Sequence, residues 1–77
     1  MNDIEREILQ HSLGLNYSIK EYRNHFVTGP GCAEYPHCEG LVEAGLMIRR
    51  TGSTLSGGYP IYFVTEAGRE ALKNVNL

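Results

Sequence analysis

Met47-Ile48-Arg49-Arg50, a polar stretch from Thr51 to Tyr59 with Gly57-Gly58 at its heart, and then Ile61-Tyr62-Phe63-Val64-Thr65 decide how this chain reads. The two flanking runs are rich in β-formers, and the glycines between them let the backbone reverse, so the stretch predicts a hairpin. Pro60 precedes the return strand, where its missing N–H matters least. Upstream, a helix is expected to begin between Ala33 and Pro36, because proline is tolerated in a first turn. Cys38, Leu41 and Val42 form its inward stripe, and Gly45 followed by Leu46 is its natural stop. Downstream, Thr65 caps a closing helix that carries Ala67, Ala71, Leu72 and Val75.

Two more helices are predicted before this unit. Ile4, Ile8, Leu9 and Leu13 repeat with the helical period; Asn2 or Asp3 can cap the start, and Gly14 can close the end with Leu15 packing back. Ser18 and Glu21 have the spacing of a capping box, and Tyr17 and Tyr22 that of a hydrophobic staple. They predict a helix from about Ser18 to Phe26 that buries Ile19, Tyr22 and Phe26. Thr28-Gly29-Pro30-Gly31 breaks it. The expected fold is therefore mainly α with a small β-hairpin (α+β): three helices, two strands joined by a projecting loop, and a fourth helix. This is the winged helix-turn-helix plan, as one domain spanning residues 1–77.

The run from Leu41 to Leu46, with Arg49-Arg50, a glycine-containing wing and Tyr62-Phe63-Val64-Thr65-Glu66-Ala67-Gly68-Arg69-Glu70-Ala71-Leu72, resembles the winged-helix half of MarR- and PadR-like regulators. That resemblance implies a recognition helix ending at the leucine-glycine element, and a return strand leading into a T-x-x-G helix start. The first half, around Tyr22-Arg23-Asn24-His25-Phe26-Val27-Thr28-Gly29, is similar to small phage and prophage proteins, a likeness that extends over nearly the whole chain. It implies a bacterial host cytoplasm and brings no activity with it. Function is argued from residues, because a fold does not carry one.

The chain has 77 residues, 42% of them hydrophobic and 21% charged, with a formal net charge of -2. These values suit a globular domain, and the acidic balance weighs against a surface built mainly for phosphates. No apolar run nears the roughly 18 residues of a membrane span, and the first residues lack a charged-then-apolar leader. A cytoplasmic location with reduced Cys32 and Cys38 is the expectation.

The leading expectation is a non-catalytic, phage-related DNA-binding regulator, and the alternative is a phage-encoded adaptor that binds a host or phage protein. For double-stranded DNA, Lys20, Arg23, Arg49 and Arg50 would contact phosphates, while His37 and the wing residues Ser53 and Thr54 would read bases. Against this, the outward positions of the third predicted helix are Glu34, His37, Glu39 and Glu43, and carboxylates are repelled by a phosphate wall. For a protein partner, Tyr35, Leu55 and Tyr59 are the candidate contacts, since five tyrosines exceed what so small a core can bury with every hydroxyl satisfied. A homodimer through the closing helix, using Val75 and Leu77, is a further option.

Catalysis and metal binding are not expected. His25, Cys32, His37 and Cys38 are the soft ligands, but the adjacent His37 and Cys38 point about 100° apart on a helix and no C-x-x-C knuckle is present. A Cys nucleophile would need an oriented base, and the only aspartate, Asp3, lies near one terminus. Gly29-Pro30-Gly31 lacks the following lysine of a phosphate loop. Neither a cofactor nor a small-molecule ligand is indicated.

Overall fold

A computed structural model of the chain describes residues 1–52 and 57–75. Its elements are α1 (Asp3–Leu13), β1 (Phe26–Val27), α2 (Tyr35–Glu43), β2 (Met47–Arg50), β3 (Ile61–Val64) and α3 (Glu66–Val75). The strands form one antiparallel sheet in the order β1-β3-β2.

The helix boundaries follow the local chemistry. Asn2 accepts a hydrogen bond from the Glu5 N–H at 2.8 Å while Glu5 accepts one from the Asn2 N–H at 3.0 Å, a complete capping box. Gly14 takes a φ of 80°, and the Leu15 N–H reaches the Gln10 carbonyl at 2.8 Å. At the end of α2, Gly45 has a φ of 79° and the Leu46 N–H meets the Leu41 carbonyl at 2.9 Å. Both ends are Schellman turns, in which a left-handed residue lets the chain satisfy the last carbonyls. Pro36 lies in the first turn of α2, as the sequence predicts.

The four-helix order is overturned: the helix expected over Ser18–Phe26 does not form, and three helices with three strands take its place. Other partners, most of them distant in sequence, claim several of the groups that the helix would have used. The Ser18 hydroxyl accepts the Lys20 N–H instead of capping a helix, and the Glu21 carboxylate pairs with Arg69 on α3 at 2.9 Å. The Tyr22 and His25 N–H groups donate to the Leu13 and Ser12 carbonyls, and the Arg23 guanidinium donates to the His11 carbonyl at 3.0 and 2.6 Å. The segment thus serves as a cap for the C-terminal end of α1, where carbonyls otherwise lack partners. The Asn24 side chain then imitates a strand residue, donating to the Val64 carbonyl and accepting the Val64 N–H. Phe26 and Val27 continue that pairing as β1, opposite Tyr62 and Ile61. Ile19 and Tyr22, expected to be buried, are exposed, Ile19 at 97%.

The core collects Ile8, Leu9 and Leu13 of α1, Cys38 and Leu41 of α2, Met47, Tyr62 and Val64 of the sheet, and Leu72 of α3. Strand pleating sets Phe26, Met47, Arg49, Tyr62 and Val64 on the helix-covered face and Val27, Ile48, Arg50, Ile61 and Phe63 on the other. No helix among the described residues is long and apolar enough to cross a membrane.

Candidate interaction surfaces

The leucine-glycine and T-x-x-G elements prove to hold one another. The Thr65 hydroxyl donates to the Gly45 carbonyl at 2.7 Å and accepts the Gly68 N–H at 3.1 Å, while the Thr65 N–H donates to the Leu46 carbonyl at 3.0 Å. A Cβ on Gly68 would collide with that same Leu46 carbonyl. One hydroxyl therefore caps α3 and fastens it to the α2–β2 turn. These residues account for the motif by packing and hydrogen bonding.

The cations are distributed differently from a phosphate patch. Arg49 reaches across to α2 and its Nη1 contacts both Glu39 oxygens, at 2.8 and 2.9 Å. The Tyr62 hydroxyl donates to the same carboxylate. Glu39 holds Arg49 more firmly protonated than usual, and burial followed by the Glu39 hydrogen bond pushes the Tyr62 hydroxyl upward. Arg23 is occupied at the end of α1, beside the edge strand β1, whereas Arg49 and Arg50 lie on β2 at the opposite edge. Lys20 and Arg50 are exposed and make no ion pair among the described residues. Arg50 borders a shallow cleft of about 440 Å³ with Thr51, Gly52, Gly58 and Pro60. His37 is half-buried on α2; of the other outward positions expected there, Glu34 and Glu43 are exposed and Glu39 turns to Arg49. Ser53, Thr54 and Leu55 lie outside the described residues, as does Leu77.

Of the tyrosines, Tyr62 is fully buried and Tyr35 half-buried, while Tyr17, Tyr22 and Tyr59 are exposed. Tyr59 lies against Gly29, whose added Cβ would come within 3.0 Å of the ring. Tyr59 itself lies two residues before β3, outside the paired strands. On the helix-free face of the sheet Val27, at 41%, and Ile48, at 43%, stay exposed beside half-buried Ile61 and Phe63. Single apolar residues on a surface are ordinary; four together on one sheet face are not. Reading the hairpin alone misses this patch, because β1 supplies one side of it. The signal was present as alternate apolar residues in Tyr59, Ile61 and Phe63.

Burial in the core, with lesser contributions from Glu34 and Glu39, pushes the Cys38 thiol up to about 12, which makes it a packing residue and a poor nucleophile. Among the described residues, no three His, Cys, Asp or Glu side chains converge as a metal cage. No family model matches the chain, and comparison with curated proteins and with solved structures gives no match.

Proposed function

We propose that the chain is a non-catalytic, winged-helix-like protein-interaction module that binds a partner protein through the helix-free face of its sheet. The observation that carries this reading is the apolar group Val27, Ile48, Ile61 and Phe63 on one side of β1-β3-β2, with Arg50 at its margin and exposed Tyr59 just before β3. Burying such a group removes apolar area from water, the dominant favourable term in protein association. The strand order, with α2 entering a hairpin and α3 closing it, supports the winged-helix comparison; the second helix of that plan is replaced by the segment that caps α1. The likeness to small phage and prophage proteins supports a phage-encoded adaptor in a bacterial cytoplasm, acting on a host or phage protein.

The test uses Ile48→Lys and Val27→Lys in a tagged full chain expressed in bacterial cells. Both side chains are exposed, so melting temperature is expected to hold within about 3 °C. Partner retention seen with the wild type is expected to disappear with either variant. Undiminished retention by both would remove the sheet face as the site.

A second reading, DNA binding, draws on the cleft beside Arg50, where an uncommitted guanidinium adjoins backbone of the wing base. Titration of the labelled chain with a short mixed-sequence duplex at about 50 mM salt decides it. Salt-sensitive amide shifts at Arg50, Thr51 and Gly52 would support a nucleic-acid site; a silent spectrum would exclude one.

A further inference from the structure

We infer that the groove between α1 and the start of α2 binds a basic, amphipathic helical segment of a partner protein. This surface is separate from the sheet face above: it lies on the helix-covered side, where Phe26 points, whereas Val27 points the other way. The groove is open and measures about 510 Å³, within the range of sites that hold several side chains. Its apolar lining is Ile4, Ile8 and Phe26, and the His11 ring meets Phe26 edge-on at a centroid distance of 5.6 Å.

Ile4 shows that the groove is more than a seam in the packing. It sits one helical step before Ile8 on the stripe that the sequence predicts to be inward, yet it is 48% exposed. The apolar stripe of α1 thus extends past the edge of the core. Residues four apart on a helix form a ridge, which the grooves of a second helix accommodate.

The rim gives the partner its charge. Glu7 from α1 and Glu34 from just before α2 both line the groove. Most carboxylates in the chain are already engaged: Asp3 with Arg6, Glu5 in the cap of α1, Glu21 and Glu66 with Arg69, Glu39 with Arg49, and Glu70 with Lys73. Among the described residues, Glu7, Glu34 and Glu43 have no such partner, and two of those three belong to this groove. No lysine or arginine lines it. An acidic rim around an apolar floor selects a segment with aliphatic anchors one turn apart and lysine or arginine beside them.

The experiment titrates the labelled full chain with a synthetic peptide of about four helical turns, carrying leucines at i, i+4 and i+7 with lysine and arginine between them. A matched peptide with glutamate at every basic position serves as control. Amide shifts are expected to centre on Ile4, Glu7, Ile8, His11 and Glu34, and the acidic peptide is expected to cause none. The double change Glu7→Gln and Glu34→Gln, at exposed positions, should leave the melting temperature in place and weaken binding at least about fivefold at low salt. Equal binding of the two peptides, an unaffected double variant, shifts centred on Ile48 and Phe63, or silence up to about 1 mM peptide would each overturn the assignment. Because none of these readings involves the sheet face except as a competing map, failure here leaves the proposed function standing.

Discussion

Asn24 illustrates how much one side chain contributes when it stands in for backbone. Its amide closes two hydrogen bonds with Val64, at 3.1 and 2.7 Å, and so joins the irregular segment before β1 to the central strand. Asn24→Ala leaves both Val64 groups without those partners, and chemical denaturation should report a loss of about 1–3 kcal/mol. Cys38 and Tyr62 tell a different story, one of protons. Both are held above their ordinary values first by burial, so the folded chain favours their neutral forms. Stability is then fully present below the ordinary thiol value of 9.0 and is lost as pH rises toward the folded value of about 12. The urea midpoint is therefore expected to fall steadily above pH 9, and Cys38→Val should flatten that fall. In the folded state at pH 8, alkylation followed by mass spectrometry should mark half-buried Cys32 and spare Cys38.

Between elements, the junction of α3 with the α2–β2 turn concentrates several constraints on Thr65 and Gly68. Thr65→Ala removes a helix cap and the bond to Gly45, which should cost about 1–2 kcal/mol. Gly68→Ala forces a Cβ against the Leu46 carbonyl, and backbone cannot step aside as a flexible side chain would. Its melting temperature is expected to fall further than that of Thr65→Ala. Most of the helix and hairpin boundaries were readable from local chemistry: the Asn2 cap, the Gly14 and Gly45 turns, Pro36 and Thr65 all act where their types predict. Ser18 and Glu21 were not, although their spacing is just as good. A capping box is a local preference that a tertiary partner can outcompete, and here Glu21 has Arg69, 48 residues away, as a better-placed partner. Likewise, nothing in Phe26-Val27 by itself announces a strand; two residues acquire that role only because β3 offers an open edge.

For the molecule as a whole, the same long-range pairing decides what is left for partners. Four cations gathered into one phosphate patch is a fair inference from composition, yet Arg23 is spent on α1 and Arg49 on Glu39, at opposite edges of the sheet. No spacing in the sequence encodes those two pairings. Among what remains outward are an apolar sheet face and an acidic rim around the α1 groove. Tyr59 is legible in the sequence as a candidate contact from its type and its place beside the glycine turn, whereas the face formed by Val27, Ile48, Ile61 and Phe63 becomes visible only with the strand pairing.

The most direct test of this account places a photoreactive amino acid at Ile48 and, separately, at Lys73 on the exposed surface of α3, and illuminates bacterial cells that express the full chain. Ile48 is expected to give a discrete adduct with one partner protein, lost when Phe63→Asp is added, and Lys73 none. Absence of any adduct from Ile48, or the same set of adducts from both positions, would contradict it.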